Sequence, residues 1–273
     1  MALTISPLRI STTTATADWG LPIQLDVLFE QLKEHFIPIG YPAPGILKFE
    51  HKKEVYGACH KDLFTNRKMT AKSFYNQSTL VLRRPFGSGW KEVNMKLFGS
   101  GGIQMTGISS LEFAVEAVEW LLSVIKRLPR SPFTGSSGSA TMKEPSVTKA
   151  TISMINTDYS LNYDVQQENL NRILMEEYGI FSMLEKTIYQ GVNAKFFYNT
   201  ANKKAGVCSC TGFCKGQGTG EGNGQCKRIT MSIFRTGNII ITGGRNMKQI
   251  EMAYDFLNEV FRTHAATVLI KRA

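Results

Sequence analysis

Four of the five cysteines lie in one short segment rich in alternating glycines. Their spacing is C-x-C-x3-C-x11-C, formed by Cys208, Cys210, Cys214 and Cys226. Four thiolates suit a closed tetrahedral zinc site, in which the metal supplies ordering free energy that burial cannot supply. The C-x-C pair is tight for chelation, so a flexible loop of reduced cysteines stays open as the alternative. Cys59, beside His60, has no partner spacing and is expected to be structural.

The remaining residue types capable of chemistry do not form a catalytic pattern. The four histidines are His35, His51, His60 and His264. None belongs to an HExxH pattern, and no GxSxG or P-loop pattern accompanies them. The acidic pairs Asp18/Asp26 and Asp158/Asp164 follow strand candidates, where carboxylates typically cap turns or helices. We therefore expect neither an enzyme nor a small-molecule substrate.

Composition points to a basic protein with a polyanionic partner. The chain has 273 residues, 42% of them hydrophobic, and a formal net charge of +10. This length allows one large domain or two small similar ones, and the charge favours nucleic acid or an acidic membrane surface. No apolar run approaches the roughly 18–20 residues of a membrane span, and the N-terminus lacks a secretory pattern. We expect an intracellular protein that is not inserted in a membrane.

The elements that must position these residues occur twice. VNMKLFGSGGIQMTG (93–107) and ITMSIFRTGNIIITG (229–243) align without a gap at an offset of 136 residues. The shared residues are Phe98/Phe234, Gly101/Gly237, Ile103/Ile239, Thr106/Thr242 and Gly107/Gly243. Each copy leads into a helical pattern and follows a strand candidate (9–15, 151–156) and another helical stretch (25–36, 166–177). The sequence predicts two α+β repeats.

A segment without periodicity separates the two copies. Residues 129–149 contain GSSGS and three prolines, as is typical of a linker. We therefore predict a first repeat over 1–128, a linker over 129–149 and a second repeat over 150–273. The second repeat carries the Cys-rich insert at 201–227.

Period-2 alternation assigns a face to each side chain of the repeated strands. Val93, Met95 and Leu97 point to one face, and the other face is polar but ends in Phe98. The second copy repeats this pattern and ends in Phe234. Each Phe either wraps over an edge into a small core or forms a wedge of the kind that unstacks bases in the minor groove. Recurrence of the Phe in a basic protein favours the wedge.

These segments resemble the TATA-box-binding protein family. FGSGGIQMTG and FRTGNIIITG match its pattern F-x-[ST]-G-x-x-x-x-T-G, SMLEKTIYQG (182–191) matches its stirrup, and ISMINTDYSL (152–161) its opening strand. The Cys-rich insert and FYNQSTL (74–80) are similar to divergent members from nucleocytoplasmic large DNA viruses. The resemblance implies a two-repeat saddle: a curved antiparallel sheet with helices on its convex face.

The resemblance also implies a function and its residues. It implies a general transcription factor that binds and bends double-stranded promoter DNA through the minor groove and recruits a TFIIB-like factor and RNA polymerase. For a viral member, the location would be the host nucleus or a viral factory. Tyr41 is expected at the first stirrup, paired with Phe98, and Tyr189 is expected to pair with Phe234. The expected DNA-binding residues are Ile10, Lys96, Phe98, Gln104, Thr106, Ile152, Tyr189, Lys195, Phe234, Thr242 and Arg245.

The chain departs from the family pattern at positions that read DNA. The two central asparagines of the family fall on Leu8 and Ala150, and the lysine after the turn glycine is replaced by Gly102 and Asn238. DNA bending is therefore better supported than recognition of a TATA sequence. A degenerate module that binds transcription proteins, with little affinity for DNA, stays open as the alternative.

Overall fold

The computed structural model describes residues 2–65, 76–134, 144–185, 187 and 190–272. They form two compact units. The first-repeat unit is Thr13–Ser153, and the second-repeat unit is Met154–Ala273 together with Met1–Thr12. The N-terminal residues thus belong to the unit built from the far half of the chain. Residues 135–143 of the predicted linker lie outside the described residues, and the predicted boundaries stay a prediction.

The first-repeat unit is an antiparallel sheet with two longer helices and one short one. Its elements are β1 (Arg9–Asp18), α1 (Leu25–Leu32), β2 (Gly45–His51), β3 (Glu54–Gly57), α2 (His60–Phe64), β4 (Gln77–Phe86), β5 (Gly89–Phe98), β6 (Gly102–Ile108) and α3 (Leu111–Ile125). The strand order is β3-β2-β4-β5-β6-β1, and β1 enters the unit at Thr13. The strand–helix order predicted from the sequence is present, with β3 and α2 inserted between β2 and β4.

The second-repeat unit has the same plan. Its elements are β7 (Thr148–Ser160), β8 (Tyr163–Val165), α4 (Gln167–Glu176), β9 (Phe181–Glu185), β10 (Gly191–Tyr198), β11 (Lys227–Phe234), β12 (Asn238–Gly244), α5 (Met247–Thr263), α6 (Ala265–Val268) and β13 (Leu269–Lys271). The order is β7-β12-β11-β10-β9, and β13 pairs with β8 separately. The predicted α+β class is confirmed.

Alternating side chains give each sheet one apolar face, which the helices cover. In the first-repeat unit the buried residues include Leu28, Phe49, Met95, Val118 and Leu121. In the second they include Leu174, Phe196, Met231, Ile241 and Leu257. The long helices begin at equivalent caps, because the side chains of Ser110 and Asn246 accept the backbone N–H of Phe113 and Gln249, each at 3.1 Å. The opposite face of each sheet is left for polar residues.

The repeated turn glycines have a structural reason. Gly101 lies three residues after Phe98, and Gly237 lies three residues after Phe234. Their φ angles are +94° and +71°. A Cβ at these positions would overlap the carbonyl oxygens of Leu21 and Tyr163, respectively. Only glycine allows both the left-handed backbone and this close approach. The turn therefore holds the end of β5 or β11 against the chain that precedes the first long helix of its unit.

Among the described residues, no helix is long and apolar enough to cross a membrane.

Candidate nucleic-acid interface

The polar face of the first-repeat unit brings four predicted DNA-binding residues onto two neighbouring strands. Lys96 of β5 lies opposite Gln104 of β6, and Asn94 lies opposite Thr106. Lys96 is exposed, whereas Phe98, at the end of the same face, is half-buried. The arrangement places one cation, short polar groups and one aromatic ring along a single face, as the alternation predicts.

The short helix α2 covers the other part of this face. Cys59, which precedes α2, is buried against Leu47 and Val81 in a small cluster separate from the main core. Lys48 Nζ donates to Asp62 Oδ1 at 2.8 Å, and this contact ties α2 to β2. Burial raises the pKa of the Cys59 thiol, as expected for a structural cysteine. The open part of the polar face is consequently the part near Phe98.

The predicted position of Tyr41 at the first stirrup is wrong. Tyr41 precedes β2, and its carbonyl oxygen accepts a 2.5 Å hydrogen bond from buried Arg83 of β4. Phe98 lies opposite Gln77, at the other end of β4 from Arg83. The prediction was wrong because the sequence did not reveal that β3 and α2 are inserted between β2 and β4. Phe74 and Tyr75, which precede Gln77 closely in sequence, lie outside the described residues.

The polar face of the second-repeat unit is built from β7, β12, β11 and β10. Thr230 lies opposite both Lys195 and Thr242, and Thr242 lies opposite Asn156. The Lys195 ammonium donates to Thr230 Oγ1 at 3.1 Å, and the Thr242 hydroxyl donates to Asn156 Oδ1. Two predicted residues, Lys195 and Thr242, are therefore joined through Thr230 into one polar strip.

Cations gather around the end of this strip where β11 begins: Lys195 and Arg228 lie on the polar face, whereas Lys227 lies opposite the core residue Tyr198. We call Lys195, Lys227, Arg228 and Arg245 the basic cluster. Burial, reinforced by Arg228, lowers the pKa of Lys195. Burial, reinforced by Arg245 and Arg228, also lowers the pKa of Lys227. Within the described part of the chain, none of the four forms an ion pair with a carboxylate. The like charges repel one another, so a polyanion would relieve this repulsion.

Phe234 stands at the opposite end of the strip. It lies opposite Gly191 of β10 and is half-buried. The Phe234 ring lies next to Gly191: a Cβ at that position would be 3.4 Å from the ring, which is van der Waals contact. Tyr189, its predicted partner, lies outside the described residues.

The two apolar side chains predicted to contact DNA, Ile10 on β1 and Ile152 on β7, differ in exposure. Ile10 is 51% exposed, whereas Ile152 is half-buried and packs, with Ala150, against the core of the first-repeat unit. Leu8 packs against the core of the second-repeat unit. Ile10 is thus available to a ligand, and Ile152 is only partly so.

The four clustered cysteines converge. Their sulfur atoms all lie within 4.8 Å of one another, and Cys226 Sγ is 3.5 Å from Sγ of both Cys208 and Cys210. Tetrahedral zinc with bonds of about 2.3 Å requires sulfur atoms about 3.8 Å apart. The cluster could therefore hold a metal ion.

Hydrogen-bond donors already point at these sulfurs. The backbone N–H of Gly224 donates to Cys210 Sγ at 3.1 Å, and this contact lowers the pKa of Cys210 to about 7. Asn199 Nδ2 donates to Cys226 Sγ at 3.4 Å, although burial raises the pKa of this thiol. Donors of this kind stabilise thiolates and orient metal ligands. The donor set fits zinc.

Sequence reasoning missed Asn94, Asn156, Lys227 and Arg228. Arg228 could have been found by extending the alternation Phe234, Ser232, Thr230 by two residues toward the N-terminus, because it keeps the same parity. Asn156 could not, because its position opposite Thr242 depends on the register in which β7 and β12 pair, which sequence spacing does not fix.

Comparison with known proteins tests the resemblance. No protein-family model matches the chain. Over 218 residues, 76% of the chain, it is 28% identical to a protein described as "TATA-box-binding protein-like" from Acanthamoeba polyphaga mimivirus. The resemblance to the TATA-box-binding protein family is confirmed. The chain spans 53% of the length of this TATA-box-binding-protein-like relative. It also aligns with a solved structure, Methanococcus jannaschii TBP, over 96% of this chain and 100% of that one, with a TM-score of 0.45 and 16% identity.

Proposed function

We propose that the chain is a TATA-box-binding-protein-like general transcription factor that binds promoter DNA in the minor groove and bends it. The observation that carries the proposal is the polar face of the second-repeat unit, which has the basic cluster at one end, Thr230 and Thr242 in the middle and Phe234 at the other end. Cations neutralise phosphates, short polar side chains reach the shallow edges of the bases, and an aromatic ring unstacks a base step.

The first-repeat unit contributes a second wedge in this proposal. Phe98 ends the polar face that carries Lys96, Gln104 and Thr106. The surroundings are less basic, because Glu92 occupies the position equivalent to Arg228 and interacts with His60. We therefore expect the second-repeat unit to contribute more of the electrostatic attraction.

The protein partners follow from the resemblance alone. We propose that DNA-bound protein recruits a TFIIB-like factor and RNA polymerase. The similarity to a viral protein supports a viral origin, with a site of action in the host nucleus or a viral factory.

We also propose that Cys208, Cys210, Cys214 and Cys226 bind one structural zinc ion. The sulfur separations and the N–H donors support this site, and four protein ligands leave no open coordination position. The metal would order the loop between β10 and β11, whose residues 199–226 contain no helix or strand. Its role would be to hold this loop beside the basic cluster.

Salt dependence of binding tests the function. We expect the affinity for an A/T-rich duplex to fall steeply with salt, because each neutralised phosphate adds about 0.9 to the slope of log K against log salt. Arg228→Gln should make the slope shallower by about 0.9 and weaken binding roughly eightfold near 0.1 M salt. Arg262→Gln is the matched control, since Arg262 lies on α5, whose buried side covers the other face of the sheet. Absence of salt-dependent binding by the unaltered protein would overturn the proposal.

A protein-interaction module is the second candidate. The observation that favours it is the cover over part of the polar face of the first-repeat unit, where Cys59, which precedes α2, packs on buried Val81. Binding of a TFIIB-like factor without measurable affinity for any duplex would support this candidate. Binding that requires DNA would reject it.

A further inference from the structure

The cysteine cluster carries an aromatic side chain whose exposure the metal site does not explain. Phe213 lies between Cys210 and Cys214, and it is 91% exposed. Phe213 is not among the residues that form or pack against the core of this unit, and it is not one of the four metal-ligand candidates. Exposing a whole phenylalanine ring to water is unfavourable relative to burying it. A ring held out in this way is suited to contact a partner.

The loop bearing Phe213 reaches the polar face of the second-repeat unit. The Gly216 carbonyl accepts the backbone N–H of Arg228 at 2.8 Å. A Cβ at Gly216 would lie 2.6 Å from Cβ of Arg228 and 2.9 Å from the ring of Phe197. Phe197 and Arg228 lie opposite each other on β10 and β11, with their side chains away from the core. The loop therefore runs alongside the start of β11, next to the end of the polar face where Arg228 lies.

The position of Phe213 is limited by its neighbours along the chain. It is three residues from Gly216, so its Cα lies at most about 11 Å from that contact. Cys210 and Cys214 flank it, and both contribute to the sulfur cluster. Because both flanks would be fixed by one metal ion, the ring would be presented from a short, constrained turn.

The charges of the loop and of the adjacent basic cluster indicate which kind of partner the ring would contact. The loop carries Lys203, Lys204, Lys215 and Glu221, so its net charge of +2 offsets the charge of about −2 on a zinc ion with four thiolates. The loop itself is close to neutral, and the attraction comes from the adjacent basic cluster. A neutral tip with an exposed ring, beside four cations, fits a polyanion whose sugars or bases offer apolar surface.

We propose that Phe213 is an additional DNA contact, which extends the interface of the second-repeat unit beyond its sheet. The ring packs on the duplex next to the phosphates that the basic cluster neutralises. This inference rests on the proposed function, because it requires that the polar face binds duplex DNA.

The test compares Phe213→Ala with the unaltered metal-loaded protein on an A/T-rich duplex. We expect binding to weaken about three- to tenfold. The slope against salt should stay unchanged, because the lost side chain has no charge. Hydroxyl-radical protection should become shorter at one end of the site. Met252→Ala, which removes a 40% exposed side chain from α5 in the same unit, is the control and should bind normally.

Metal removal provides a second measurement. Once the zinc is removed and the loop is no longer held, Phe213→Ala should weaken binding no further, so the two changes are non-additive. Normal affinity and a full-length footprint for Phe213→Ala, with a steep salt dependence of the unaltered protein, would overturn this inference and leave the proposed function intact. No DNA binding by the unaltered protein would overturn both.

Discussion

Replacement of Phe234 by alanine separates the wedge from the small-core interpretation of the repeated phenylalanines. In the wedge interpretation the ring enters a base step, so the variant should fold normally and lose much of the DNA bend. In the small-core interpretation the ring mainly stabilises the end of the sheet, so the variant should lose stability and keep the bend. The structure supplies the expected size of each effect.

The stability cost follows from the partial burial of the ring. A fully buried phenylalanine removes about 150–250 Å² from water, and the half-buried Phe234 removes about half of that. At about 25 cal/mol per Å², with allowance for a compact unfolded state, the loss is about 1–3 kcal/mol. Phe196→Ala, at a 1% exposed core position one strand away, should cost about 3–5 kcal/mol. The comparison calibrates what loss of a core ring looks like.

The bend is measured by energy transfer between dyes at the two ends of a short duplex. An inserted side chain typically kinks DNA by about 20–90°, so loss of one wedge should give a clearly longer end-to-end distance. The bend angle should fall strongly while the affinity changes little, because the variant no longer spends a few kcal/mol on unstacking a base step. Phe98→Ala should behave in the same way. An unchanged bend angle, with a stability loss as large as that of Phe196→Ala, would refute the wedge.

Three further predictions concern metal, specificity and acid stability. Protein purified without added metal should contain one zinc per chain, and Cys210→Ser with Cys214→Ser should lose it; elemental analysis showing no zinc in the unaltered protein would contradict the site. Discrimination between TATA-type and scrambled A/T-rich duplexes should be below about 4 kcal/mol in competition binding, because Leu8 and Ala150 occupy the asparagine positions. Hydrogen bonds from Lys52 and His51 lower the pKa of Asp26, so its stabilisation is present above the unfolded pKa and is lost as pH falls through the lower folded pKa. Asp26→Asn should therefore reduce unfolding free energy near pH 7 by about 0.5–1 kcal/mol after solvent screening, with no difference at the acid end of a denaturation series.

Much of the architecture could be predicted because it depends on local patterns. Alternation marked the strands that end in Phe98 and Phe234, and i, i+3, i+4 spacing marked the helices that cover their apolar faces. The boundaries were less accurate: the first helix ends at Leu32, and β7 extends from Thr148 to Ser160. Strand ends depend on pairing partners that are distant in sequence, so propensity alone cannot locate them.

The candidate interface was predictable only in part for the same reason. Lys195 and Thr242 were identified by resemblance, but their connection through Thr230 depends on the registers of two strand pairs. Tyr41 was misplaced because sequence order does not tell which loop reaches the end of β5. The cover that α2 forms over the first polar face depends on long-range contacts of Cys59 with Leu47 and Val81.

The sequence by itself determined the repeat, the α+β class, the face on which each strand residue lies and the set of four cysteines. Each of these is a periodicity or a spacing, which acts between residues close along the chain. Only the tertiary structure decided that the four sulfurs converge, that the N-terminal residues belong to the second-repeat unit, and that Arg228 lies near both Lys195 and Lys227. These facts depend on how strands pair and where a loop folds back. The free energy that selects them comes from burial and hydrogen bonding between segments far apart in sequence.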